Sequence, residues 1–210
     1  MRDRLAGLLL FLPVPVVLGL FTRQPLGAAA SLALGIALML SHRLYARPFA
    51  LARAERRCLW CGGASGQGPS LAVAEPLGPS RWRACGGDHA SRLAGLLGWA
   101  SAHAGFLRAG ILGTLAAFLL AAWPAAAGRL GPLGTPDVVA GFRVGIAVTV
   151  LPLSTFGARL GAADQGLRSP FPLHIQALIG TRWVLWLFRI VGVAWLALGL
   201  LHAGRRAGVL

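Results

Sequence analysis

Cys58, Cys61, Cys85 and His89 are the residues of this sequence whose types and spacing could do chemistry. They form a Cys-x2-Cys pair within Arg57-Cys58-Leu59-Trp60-Cys61-Gly62-Gly63 and a Cys-x3-His pair within Cys85-Gly86-Gly87-Asp88-His89. All three cysteines of the chain are used. Three thiolates and an imidazole are the donor set of a tetrahedral Zn²⁺ site of the Cys₃His type. Gly62 and Gly63 permit a tight turn beneath a metal, and Cys85 and His89, spaced i,i+4, share one face of a helix. Four protein donors leave no coordination position for water or substrate, so the expected zinc is structural. The alternative is three unrelated thiols, with Cys61 and Cys85 able to form a disulfide.

The elements that must position these donors are legible around them. Residues 70–75 and 80–84 flank a turn at 76–79 that begins and ends in proline, which predicts a short hairpin. Knuckle, hairpin and helix in that order resemble a treble-clef zinc finger, over residues 58–89 only. The resemblance implies Cys58, Cys61, Cys85 and His89 as ligands, although its Cys-x3-His half departs from the commoner Cys-x2-Cys. It implies no activity, because function does not follow from such a fold. The segment holds few large apolar groups besides Leu59, Trp60, Leu71, Val73, Leu77 and Trp82, so metal binding is expected to supply much of its folding energy.

The rest of the chain is of another kind. It is 56% hydrophobic and 12% charged, with a mean hydropathy of +0.69, which excludes an ordinary soluble domain. Its net charge of +14 comes from arginine without any lysine. The arginines lie scattered between apolar runs and form no single basic patch, so no nucleic-acid partner is expected. An α-helical integral membrane protein is the predicted class, with the bilayer as its first partner.

Five spans are predicted. The first covers 5–21, about the minimum for crossing a bilayer core. It contains Pro13 and Pro15 and is expected to be retained, being longer than the apolar region of a usual signal peptide. The second covers 26–41, with a stripe of Gly27, Ser31 and Gly35 that suits close helix approach. Residues 48–104 then form the zinc module and a juxtamembrane helix over 90–104 that is expected to lie along the membrane interface. The third span covers 109–127, with Ala109, Gly113, Ala117 and Ala121 along one face. The fourth covers 136–158 after a Thr135 N-cap and contains Gly141, Gly145 and a bend at Pro152. An apolar stretch at 170–180 is expected to dip into the interface, and the fifth span runs from Trp183 to about residue 201. The domain boundaries are thus 1–47, 48–104 and 105–210.

Five spans put the termini on opposite sides. Twelve arginines near span ends share a side with the N-terminus and the zinc module, against Arg23, Arg129, Arg205 and Arg206 on the other. The positive-inside rule then expects a cytoplasmic N-terminus and module and an external C-terminus, in the inner membrane of a bacterial cell. A reducing cytoplasm favours thiolates on zinc over a disulfide.

The six carboxylates fall outside span interiors, and none cluster. That weighs against ion-coupled transport and against Mg²⁺-assisted transfer chemistry. Arg143 and Arg189 do lie inside spans, each about 9–10 Å from its nearer surface, and they approach opposite leaflets. They are the candidates for a lipid, anion or partner contact, against simple snorkelling. A bis-histidine haem between His42 and His103 is geometrically conceivable and disfavoured. The expected function is a non-catalytic membrane subunit or scaffold of a larger complex, its zinc module facing a cytoplasmic partner. A membrane enzyme or lipid- or anion-handling protein is the second reading, and a small transporter or channel the third.

Overall fold

The structure, a computed structural model, describes residues 28–65, 67–160 and 167–209. It is mostly helical, with one two-stranded sheet. Helix α1 (Ala28–Ser41) passes through a π-helical turn (His42–Ala46) into α2 (Arg47–Ala54). Strands β1 (Ser70–Val73) and β2 (Ser80–Arg83) follow, then α3 (Gly87–Ala102) and α4 (Ala104–Arg108). A second π turn (Ala109–Gly113) joins α4 to α5 (Thr114–Ala126); then come α6 (Thr135–Leu160), the short α7 (His174–Ile179) and α8 (Thr181–Arg206).

Among the described residues, three helices are long and apolar enough to cross a membrane: Ala104–Ala126, Thr135–Arg159 and Thr181–Arg206. They correspond to the third, fourth and fifth spans expected from hydropathy. The first expected span lies outside the described residues, and α1 is the described part of the second. The start of α6 differs in detail from the predicted cap. Thr135 is already helical, and Asp137 reaches back to accept the Gly134 N–H at 2.7 Å, as the acid of a capping box does. Pro152 sits within a helix that continues around it. The hydroxyls of Ser154 and Thr155 both donate to the Leu151 carbonyl, at 3.0 and 2.6 Å.

Small residues set how closely these helices pack. A Cβ on Gly199 would meet Val144 at 2.4 Å and one on Gly192 would meet Leu151 at 2.9 Å, so α8 runs antiparallel against α6. Gly145 is filled by Thr114 and Gly110 by Thr149, joining α6 to the third span. The predicted small-residue stripe of that span is not the face that meets α6. Ala109, Gly113 and Ala117 are exposed among the described residues, whereas Gly110, Thr114, Phe118 and Ala122 form the contact face. Phe118, Ala122, Val139 and Phe142 make the core between these helices, with Leu34 of α1 and Trp195 of α8 against it. At the end remote from the sheet, Asp137 bonds His202 at 2.9 Å and Arg206 at 3.3 Å, tying the start of α6 to the end of α8.

A second core surrounds the sheet. Cys58, Leu59, Trp60, Val73 and Trp82 pack with Leu93, Leu96 and Leu97 of α3 and with Leu173, Ala177, Leu178 and Leu185 from the far side of the sequence. Two segments expected at the membrane interface pack here. The apolar stretch 170–180 closes this core, with Leu173 and Leu178 only 2% and 1% exposed. Helix α3 packs on the last turns of α6, where Leu96 fills the space beside Gly157.

Glu75 fastens the closure. Its Oε1 accepts the Trp82 indole N–H at 2.7 Å and its Oε2 accepts the Leu173 backbone N–H at 2.9 Å. Glu75→Ala is therefore expected to cost about 2–6 kcal/mol, since two buried donors lose their acceptor at once. Thermal unfolding of the detergent-solubilised protein measures it. A melting temperature within a degree of the parent would mean that the bridge carries no weight.

Candidate metal centre

The knuckle is built by its own backbone. The Cys58 N–H donates to the Gly63 carbonyl at 2.8 Å, the Gly62 N–H to the Cys58 carbonyl at 2.8 Å, and the Gly63 N–H to Cys61 Sγ at 3.4 Å. Gly62 takes φ +70°, the left-handed conformation that favours glycine and turns Cys61 back towards Cys58. The hairpin brings the second pair across. β1 and β2 are antiparallel with Leu71 opposite Trp82, and the Leu59 N–H bonds the Arg83 carbonyl at 2.8 Å, which sets β2 beside the knuckle. Cys85 stands just before α3, and His89 in its first turn. The pair is therefore adjacent without both residues being helical, a small departure from the expected shared helix face.

The four donor atoms lie within 4.8 Å of one another, a set that could hold a metal ion. Tetrahedral ligands at 2.3 Å for sulfur and about 2.0–2.1 Å for nitrogen stand about 3.8 Å apart for S–S and about 3.5 Å for S–N. Cys61 Sγ and Cys85 Sγ are 3.9 Å apart, and Cys58 Sγ and His89 Nδ1 3.6 Å. Cys85 Sγ and His89 Nδ1, at 2.8 Å, are in hydrogen-bond contact and must open by about 0.7 Å to share an ion. All three cysteines are free thiols, so the Cys61–Cys85 disulfide is not formed. Burial pushes the Cys58 thiol up, but hydrogen bonds from the backbone of Cys61, Cys85 and Trp60 outweigh it and hold the group below its usual range. Cys85 is pushed up to about 11, by desolvation first and then by the sulfurs of Cys58 and Cys61. Three thiolates this close repel one another, and a cation bound among them would offset that repulsion.

The centre is joined directly to α8. The N–H and hydroxyl of Thr181 both donate to the Leu59 carbonyl at 2.8 Å, and the Arg182 N–H donates to the Trp60 carbonyl at 2.9 Å. Thr181 is fully buried. Two residues inside the Cys-x2-Cys knuckle thus supply the acceptors for the first N–H groups of a membrane-length helix.

The other expected residues are placed apart. Arg189 donates through Nε to the Ser154 carbonyl at 2.7 Å, and its Nη2 shares that acceptor. It lies on the wall of a cavity between α3, α6 and α8. Arg143 is half-buried farther along α6 and does not line that cavity. With α6 and α8 antiparallel, the two arginines approach opposite ends of the helix pair. His42 and His103, the pair conceivable for haem, have different neighbours. His103 stacks on Trp99 with ring centroids 4.1 Å apart, and His42 Nδ1 sits 3.3 Å from His174 Nε2. Burial, then His42 and Arg47, bring buried His174 down to about 4, so the two imidazoles meet uncharged. No family model, curated protein or solved structure matches the chain.

Proposed function

We propose that the chain is a non-catalytic integral membrane subunit or scaffold, in which a structural Zn²⁺ on Cys58, Cys61, Cys85 and His89 locks a treble-clef-like module to the membrane helices. The observation that carries this reading is the seating of the knuckle on Thr181 and Arg182. A metal there fixes the start of α8 through two carbonyls, a bracing role that uses four protein ligands and requires no open coordination position. The membrane part comprises five spans: 5–21, 26–41 and the three long helices described above. Arginine distribution sets the N-terminus and module in the cytoplasm and the C-terminus outside, in a bacterial inner membrane. The outward Ala109, Gly113 and Ala117 suit a further helix, which is where a partner subunit is expected to pack.

Purification in mild detergent tests the assembly. A stoichiometric larger complex is the expected result, and a lone monomer under native conditions would sink the subunit reading. Topology is checked separately with reporters. One fused within 63–70 should behave as cytoplasmic and one after Leu210 as external; if both report one side, one of the five spans is wrong, the short proline-containing 5–21 first among them.

A further inference from the structure

Beyond the scaffold role, a second site lies beside the module and shares His89 with the metal set. Between α3, the last turns of α6 and the first turns of α8 is a cavity of about 550 Å³. Arg92, Arg159, Arg182 and Arg189 line it, together with one carboxylate, Asp88. These arginines are brought together from three separate helices. The ion pairs among the described residues are both on Asp137, at the other end of α6, so no described carboxylate is in ion-pair contact with any of the four. They also outnumber Asp88 and the single negative charge that three thiolates would leave on a divalent ion. Four like charges around one space repel unless an anion enters, and guanidinium forks match phosphate oxygens bidentately. The volume is that of a small-molecule site.

The cavity has an apolar continuation. Trp60, Ala158 and Leu185 share its wall. Along α8, Trp186 and Val193 follow Arg182 and Arg189 at i+4 spacing and Ile190 follows Trp186 at i+4; the three are 55%, 60% and 48% exposed in that order. A charged pocket opening onto a greasy helix face suits a phosphate group that carries acyl chains.

We propose that Arg92, Arg159, Arg182 and Arg189 form a binding site for a phosphate group, either an anionic lipid headgroup or a free phosphate. Arg189 is held by the Ser154 carbonyl, while Arg92 and Arg159 are exposed and can be changed with least disturbance.

The test uses the full metal-loaded chain in mild detergent, stripped of lipid. Dioleoyl phosphatidic acid and inorganic phosphate are titrated separately, with bound probe counted by native mass spectrometry. Saturable binding of about one phosphatidic acid per chain is expected. It should weaken at least tenfold in the double variant Arg92→Gln/Arg159→Gln and remain unchanged in Arg205→Gln, which lies at the opposite end of α8. Competition by inorganic phosphate would identify the phosphate group itself as sufficient, and its failure to compete would identify the lipid as the source; either supports the site. Absence of saturable binding by both probes to the parent chain, or equal binding in parent and double variant, overturns it. Metal content, measured in the same samples, reports separately on the module.

Discussion

Gly62→Ala and Gly180→Ala are each expected to separate the knuckle from the membrane helices, at a cost above about 3 kcal/mol. Both glycines have positive φ, +70° and +102°, where an L side chain costs about 1–3 kcal/mol for conformation alone. The larger part of the effect is steric. A Cβ on Gly62 would sit 2.6 Å from the Ile179 carbonyl oxygen, and one on Gly180 would sit 2.6 Å from the Cys61 carbonyl carbon. Each obstruction is backbone, which cannot swing aside as a side chain does. The two chains must part, and the bonds from Thr181 and Arg182 to Leu59 and Trp60 lie directly beside the gap. Gly128→Ala is the control: its φ is +67°, yet nothing lies within 4 Å of its Cβ position. Thermal unfolding should place Gly62→Ala well below Gly128→Ala, with new protease cleavage between 58 and 68. Equal melting temperatures in the two variants would mean that the knuckle is not seated on residues 179–180.

That contact was not legible in the sequence, and the reason is physical. The three membrane-length helices are encoded by runs of apolar residues longer than any soluble core requires, so hydropathy alone finds them. The hairpin is bounded by Pro76 and Pro79, and the four donors announce themselves by type and spacing. Residues 170–180 carry no such mark, because a short apolar stretch reads equally as an interfacial segment or as core. What decides is Leu173 and Leu178 meeting Trp82 and Leu59 across more than 90 residues of chain, with Glu75 holding the join. Which face of the third span meets α6 was hidden for a related reason. Helical periodicity defines faces without choosing between neighbours, and Thr149 selects Gly110, leaving Gly113 outside. Arg189 stood out as a charge within a span. Arg92, Arg159 and Arg182 were each ordinary interfacial arginines until three helices brought them to one cavity.

Metal removal is expected to produce the other large effect. Zinc should co-purify at one ion per chain with sulfur at about 2.3 Å and nitrogen at about 2.0–2.1 Å, measurable by elemental analysis and X-ray absorption. Cys58→Ser should abolish stoichiometric metal. Cys58 is fully buried at the centre of the module core, so its ligand cannot be replaced by a neighbour from solvent. Structural zinc contributes on the order of 10 kcal/mol to small modules. Here part of the core comes from α3, α7 and α8, so the loss should loosen residues 58–84 without unfolding the membrane helices, whose backbone bonds are satisfied internally. Protease sensitivity of that segment should rise at least tenfold while the chain stays in the membrane fraction. The pH dependence follows from the thiols. Metal binding must displace their protons, and Cys85, pushed up to about 11 before an ion arrives, holds its proton across the physiological range. Affinity should therefore fall as pH is lowered, with the bound state surviving only while the ion competes with protons for sulfur. Undiminished metal content in Cys58→Ser, or a purified parent chain with no metal, would remove the centre and with it the bracing of α8 by a bound ion.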